Sequence, residues 1–171
     1  MLDKTQIREM TKRTMEGLKR NRMLPFYAET KEEALALVEF LLKDGATITT
    51  GGSATLQQCG IMDLVRQDRY RYIDRSMDGL TPEEVRKKFV ASLAPDVFLC
   101  SSNAITESGE LYNVDGNSNR VSSLLYGPES VIVVAGYNKI VKNLDEAVER
   151  VKRIAAPKNT QRLQCDTYCR E

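Results

Sequence analysis

Two adjacent glycines followed by hydroxyl side chains form a group that could hold an anion. Gly51 and Gly52 follow a β-rich stretch, and helical sequence resumes just after Ser53. Glycine lets the main chain approach a ligand closely, and the first amides of a helix are unpaired and carry a partial positive charge. Ser53 and Thr55 add hydroxyl groups. The pattern predicts a phosphate or carboxylate site, and it is equally typical of a tight strand-to-helix turn capped by Ser53.

Two further polar clusters each follow an apolar strand candidate. In one, Asn103 and Thr106 could hydrogen-bond a polar ligand, or the segment could simply form a capped turn. In the other, Lys139, with Asn138 beside it, could neutralise an anion or act as a base, and a solvated surface lysine is the alternative. Because ligands bind beyond the carboxyl ends of strands in open parallel sheets, we expect the three clusters to meet at one edge.

Charged residues between these clusters complete the set of candidate ligand-binding and catalytic residues. Arg120, next to Asn119, suits bidentate binding of a carboxylate or phosphate. The alternative is an ion pair between Arg120 and Asp115 that fixes the loop. Histidine is absent, so a general base would have to be another residue type. Glu107, Asp115 and Lys139 are the candidates, and no chemical step is assigned to any of them.

The composition excludes several classes of protein. The chain has 171 residues, of which 42% are hydrophobic and 29% charged, and its net charge is +1, so nothing favours nucleic acid as a partner. No apolar run is long enough to cross a bilayer, and charged residues interrupt the N-terminal segment, so we expect a cytoplasmic protein without a membrane partner. Cys165 and Cys169 supply too few ligands for a metal site, unless a further tail completes it.

Strand and helix signals alternate along the chain. A charged amphipathic helix over 1–22 precedes an α/β domain over 23–160, and a polar, cysteine-containing tail over 161–171 follows it. Strands that alternate with helices predict a mostly parallel sheet flanked by helices. The first and last helices are each candidates for a homodimer face. No internal repeat or low-complexity linker interrupts the domain.

Several individual elements can be predicted from local patterns. Residues 24–28 are a short strand candidate, and 101–119 is the least regular region, with one short strand over 111–114. Residues 131–135 are apolar throughout, which predicts a strand covered on both faces. A final helix is expected to end at Pro157.

Short motifs along nearly the whole chain, taken in order, resemble those of the lactate-utilisation (LUD) domain family. The resemblance implies a Rossmann-like three-layer α/β fold, within the superfamily of ribose-phosphate isomerases, glucosamine-phosphate deaminases and CoA transferases. In this family a cysteine-rich tail often follows, and Cys165 and Cys169 look like its beginning. The matching stretches are 51–56, 60–61, 102–109, 113–121, 126–128, 136–141 and 153–159.

The resemblance implies a component or accessory of L-lactate (2-hydroxyacid) utilisation that binds a small anionic metabolite. The sequence has no flavin or nicotinamide fingerprint of its own, so we expect no cofactor in this chain, and iron–sulfur chemistry only through partner subunits. Two other functions stay open. One is a stand-alone enzyme acting on a sugar phosphate or CoA ester, and the other is a non-catalytic module that binds an anion. Whether the chain is itself an enzyme is left open.

Overall fold

A computed structural model describes residues 2–74, 79–164 and 167 of the chain. Cys165 and Cys169 lie outside the described residues. The described helical segments are α1 (Lys4–Arg20), α2 (Lys31–Leu41), α3 (Ala54–Gln58), α4 (Ile61–Val65), α5 (Pro82–Ala91), α6 (Asn119–Leu125), a 3-10 turn (Tyr137–Lys139), α7 (Leu144–Arg150), a π-helical turn (Val151–Ala155) and α8 (Ala156–Leu163). The described strands are β1 (Thr47–Thr50), β2 (Arg71–Tyr72), β3 (Val97–Cys100), β4 (Ala104–Thr106), β5 (Leu111–Tyr112), β6 (Ser130–Val133) and β7 (Ile140–Val141).

The chain divides into two compact units, each with its own sheet. The parallel unit comprises Tyr27–Ser101 and Asp115–Val134, and the mixed unit comprises Met1–Phe26, Ser102–Val114 and Ala135–Glu171. The chain leaves the parallel unit just after β3 and again just after β6.

The sheet of the parallel unit has the order β2-β1-β3-β6, and all of its neighbouring strands run parallel. Helices flank this sheet, and the prediction of a Rossmann-like three-layer α/β fold with a mostly parallel sheet is confirmed. Successive side chains of a strand point to opposite faces. Accordingly Ile48 joins the apolar core, whereas the next residue, Thr49, donates a hydrogen bond of 3.4 Å to the carbonyl of Ser92, at the end of α5.

One apolar cluster forms the core of the parallel unit. Most of its members are less than a tenth exposed, and they come from the central strands and from α2, α3 and α4. Burial of such side chains contributes roughly 1.5–3 kcal/mol each, so this face of the sheet holds the unit together. The buried members are Val38, Leu42, Ala46, Ile48, Leu56, Ile61, Leu64, Val65, Tyr70, Val97 and Leu99.

Helix starts agree well with the capping signals in the sequence. Thr81 accepts a hydrogen bond from the amide of Glu84, whose carboxylate accepts one from the amide of Thr81, and Pro82 occupies the first turn. Thr30 caps α2 by accepting from the amide of Glu33 at 3.1 Å. These interactions span only a few residues, and for that reason they could be predicted without knowing the fold.

One strand prediction is wrong, and a second is right about the strand but wrong about the burial of both its faces, because strands depend on their neighbours. Residues 24–28 form no strand: Pro25 has no amide hydrogen to donate, and Leu24 is 78% exposed. The apolar stretch over 131–135 does contain β6, but β6 is the last strand of its sheet, and Val131 is 36% exposed. The same apolar sequence fits a central or an edge position, so the burial of both faces could not be inferred from it.

Two further differences concern the second half of the chain. The region predicted to be least regular contains the fully buried strand β4. The last helix does not end at Pro157. A π-helical turn precedes that residue, and α8 continues to Leu163. A proline removes one hydrogen bond of an α-helix and clashes with the carbonyl one turn back, and the wider π-helical turn accommodates both effects.

The mixed unit contains the sheet β5-β4-β7, against which α7 packs. Helix α1 lies against the turn between β4 and β5. A Cβ atom at Gly17 would be 2.5 Å from the carbonyl carbon of Ser108, so only glycine allows this approach. Arg13 pairs with Glu107 at 2.6 Å, and Asn21 donates to the carbonyl of Ser108 at 3.2 Å. The absence of a side chain at Gly17 therefore allows α1 to pack closely on the turn between β4 and β5.

We expect Gly17→Ala to destabilise the protein, although alanine favours helices by about 1 kcal/mol over glycine. The added methyl group meets main-chain atoms that cannot rotate away, and overpacking of this kind costs about 1–3 kcal/mol. The control is Gly116→Ala, where nothing lies within 4 Å of the new Cβ atom. Urea unfolding checks the result, and equal stability of the two variants would contradict this account of α1 docking.

Candidate functional site

The chain order reverses between β1 and β3 in the parallel unit. Strand β2 follows β1 on one side, and β3 then pairs with β1 on the other side. In open α/β sheets such a switch point leaves a crevice beyond the carboxyl ends of the two strands, and ligands bind there. Residues 51–55, here called the glycine turn, follow β1 directly at this position.

In the part of the chain that the structure describes, consecutive main-chain amides of the glycine turn have no acceptor. The amide of Gly51 still belongs to the sheet, since it donates to the carbonyl of Leu99 at 2.8 Å. Ser53 caps α3 by accepting from the amide of Leu56 at 3.4 Å. Within the described residues, no group accepts a hydrogen bond from the amides of residues 52–55. Ser53 therefore caps α3, and the amides of residues 52–55 still have no acceptor among the described residues. The two alternatives considered for this turn do not exclude each other.

Arg120 lies directly against the first residue of the glycine turn. A Cβ atom at Gly51 would be 3.1 Å from both Cγ and Cδ of Arg120 and 3.2 Å from Cβ of Cys100. Nη1 of Arg120 donates to the carbonyl of Ser101 at 3.2 Å. The guanidinium thus lies beside the loops that follow β1 and β3. Neither Gly51 nor Gly52 has a positive φ within the described residues, so a side chain at residue 51 would disturb the close packing of Arg120 and Cys100 and not the backbone angles.

Asp115 fixes the start of α6 and with it the main chain of Arg120. One oxygen of Asp115 accepts from the amides of Arg120 at 2.8 Å and Val121 at 3.0 Å, and the other accepts from the amide of Asn117 at 3.3 Å. The side-chain oxygen of Asn119 also accepts from the amide of Arg120, at 3.1 Å. Both predicted site residues act as acceptors for main-chain amides here.

Three predicted site residues lie at β4 and the turn after it, in the mixed unit. The side-chain oxygen of Asn103 accepts from the amide of Val114 at 2.9 Å. The buried hydroxyl of Thr106 contacts the carboxylate of Glu110. Glu107 pairs with Arg13, and this hydrogen bond raises the pKa of the Arg13 guanidinium. All three side chains have partners within their own unit.

Asn138 and Lys139 lie on the 3-10 turn just before β7, also in the mixed unit. The carbonyl of Asn138 accepts a hydrogen bond of 3.2 Å from Nε of Arg150. Lys139 is half-buried, and Asn138 is exposed. Their roles as ligand-binding residues, and that of Lys139 as a base, stay predictions.

The predicted site residues thus fall into two groups, one in each unit. Those in the parallel unit are Gly51, Gly52, Ser53, Thr55, Asp115, Asn119 and Arg120, and those in the mixed unit are Asn103, Thr106, Glu107, Asn138 and Lys139.

Sequence reasoning did not single out Tyr72 or Arg150. The hydroxyl of Tyr72 lies 2.9 Å from that of Thr50, the last residue of β1 before the glycine turn. The signal that could have found Tyr72 is its place as the last residue of β2, at the carboxyl end of the strand. Arg150 gave a misleading signal, because Glu146 lies four residues earlier on the same helix and predicts an ordinary ion pair.

Comparison with known families agrees with this architecture. The model of the LUD domain matches residues 11–171. The chain belongs to the LUD domain family. No curated protein matches it significantly. Membership of the family suggests a function related to lactate utilisation.

Metal-binding clusters and membrane-spanning helices are both missing from the described part of the LUD domain. The described residues contain no group of three or more histidine, cysteine, aspartate or glutamate side chains placed to hold a metal ion. In the same part of the chain, no helix has both the length and the apolar character needed to cross a membrane.

We expect Asp115→Ala to lower the free energy of unfolding by about 1–2 kcal/mol, since the amides of Asn117 and Val121 lose their acceptor and that of Arg120 keeps only the side-chain oxygen of Asn119. Asp115→Asn keeps an acceptor oxygen and should lose less. Thermal and urea unfolding of the two variants provide the measurement. Full stability of Asp115→Ala would show that the carboxylate is not the cap of α6.

Proposed function

We propose that this LUD domain binds a small carboxylate or phosphate at the glycine turn, as a component or accessory of L-lactate or related 2-hydroxyacid utilisation. The observation that supports it is the run of amides over residues 52–55 without an acceptor among the described residues, next to Gly51, where an added Cβ atom would meet Cγ and Cδ of Arg120. Amides at a helix start attract anions, and arginine binds carboxylate and phosphate oxygens in pairs. Both groups lie at the strand-order reversal, where α/β sheets bind ligands.

The redox step of lactate utilisation would need a partner. Oxidation of lactate to pyruvate breaks the C–H bond at the hydroxyl carbon and releases a pair of electrons together with protons. The sequence carries no flavin or nicotinamide fingerprint. We therefore propose that the electrons pass to an iron–sulfur partner subunit, while this chain holds the carboxylate.

A specific observation favours a second function, that of a non-catalytic anion-binding module. The two carboxylates proposed as general bases already have partners: Asp115 accepts from main-chain amides, and Glu107 pairs with Arg13. A general base must be able to accept a proton from the substrate. Binding without turnover, even with iron–sulfur partner proteins present, would select this second function.

Gly52→Val tests the location of the site. Gly52 is exposed and has no positive φ, so valine should leave the fold intact, while its side chain blocks the amides of the glycine turn. Isothermal titration with L-lactate, D-lactate, ribose 5-phosphate and a CoA ester should show at least a roughly tenfold loss of affinity for the preferred anion.

Gly116→Val is the control for this substitution, because that position has open space around it and no positive φ. It should bind as the unsubstituted chain does. Unchanged affinity in Gly52→Val would exclude the glycine turn as the binding site.

Arg120→Lys tests the guanidinium separately from its charge. Lysine keeps the positive charge but loses the planar pair of donors that matches a carboxylate or phosphate. We expect affinity for the preferred anion to fall by about tenfold, with thermal stability nearly unchanged. Equal affinities of the two proteins would leave Arg120 as a packing residue over Gly51.

A further inference from the structure

Arg150 occupies an inward-facing position of α7 that would ordinarily be apolar. The preceding turn contributes Ala147, which is fully buried, and the following residue, Val151, is 5% exposed. Helix α7 contacts β4, β5 and β7 on this side. A guanidinium at such a position loses part of its hydration, and burial lowers the pKa of Arg150.

The guanidinium of Arg150 contacts main-chain carbonyls at the entry of two neighbouring strands. Nη1 donates to the carbonyl of Asn103, and Nε donates to that of Asn138 at 3.2 Å. Strands β4 and β7 are parallel, with Ile105 opposite Ile140. Asn103 and Asn138 each lie two residues before this pair, so Arg150 spans both strands at the same level.

No carboxylate balances this charge within the described residues. Arg150 has no ion pair there, and its only hydrogen bonds in that part of the chain are to the two carbonyls. Glu146, one turn earlier on α7, accepts from the amide of Lys142 at 2.8 Å instead. A partly buried charge without an opposite charge is costly. A guanidinium has five N–H donors, so most of those of Arg150 have no protein acceptor among the described residues.

We propose that Arg150 binds an oxyanion, a carboxylate or a phosphate group, at the entry of β4 and β7. Its N–H groups not used by Asn103 and Asn138 would donate to the anion, whose charge would take the place of the missing carboxylate. The two carbonyls hold the guanidinium in place before the anion arrives, which lowers the entropy cost of binding. The π-helical turn begins at the next residue, and such turns are frequent at functional sites. This proposal does not rest on the glycine turn, because every residue that carries it lies in the mixed unit.

The experiment follows the side-chain Nε–H resonance of Arg150 by NMR in the full chain, assigned by its disappearance in Arg150→Lys. Sodium phosphate and sodium L-lactate are titrated separately against sodium chloride of matched ionic strength. We expect saturable movement of the Arg150 signal with one anion or both, and the arm that saturates at lower concentration identifies the chemical class. No movement beyond that seen with chloride would overturn the proposal.

Three variants test whether Arg150 binds the anion, only holds β4 and β7 together, or responds to an anion bound at the glycine turn. Arg150→Lys should weaken the response of the melting temperature to the anion by about tenfold in concentration, whereas Arg153→Lys should not, because that side chain is 80% exposed and pairs with Glu149. An unchanged response in Arg150→Lys would overturn the proposal. In Gly52→Val, the Arg150 signal should still move when the anion is added. If the signal stays in place in that variant, the anion binds at the glycine turn and not at Arg150.

Discussion

Parallel pairing of β1 with β3 is the constraint on which the candidate site depends. Thr50 stands opposite Leu99, and the amide of Gly51 continues the ladder to the carbonyl of Leu99. Both strands therefore end at the same level, and the chain departs from them in opposite directions. This register places the glycine turn and Ser101 at the same end of the sheet, where Arg120 donates to the carbonyl of Ser101 and its side chain packs closely over Gly51.

Individual arginine side chains differ in the groups that surround their positive charge, and the net charge of the chain does not show these differences. With a net charge of +1, long-range attraction contributes little to ligand binding, so local geometry decides. Arg13 has a carboxylate partner in Glu107, and Arg120 is held at the main chain by Asp115. Arg150 is partly buried and contacts carbonyl dipoles only, within the described residues. The proposed anion site at Arg150 rests on this difference in local compensation and not on the overall charge.

The acidic residues of the site have mainly structural roles. Asp115 supports α6 through main-chain amides, and Glu107 helps to hold α1 on the mixed unit. Such contacts fix the loops that carry these carboxylates. The function proposed above, in which the chain holds an anion and a partner supplies the redox chemistry, needs no general base from either carboxylate.

Local interactions explain what the sequence determined by itself. The caps at Thr30 and Thr81 and the glycine turn depend on residues a few positions apart, and the LUD motifs indicated the fold. Tertiary structure alone decided that β6 is an edge strand and that Glu146 accepts from the amide of Lys142, so that Arg150 has no ion pair among the described residues. The physical reason is that strand neighbours, and the choice between competing partners for a charge, depend on contacts between distant parts of the chain, which a local pattern does not contain.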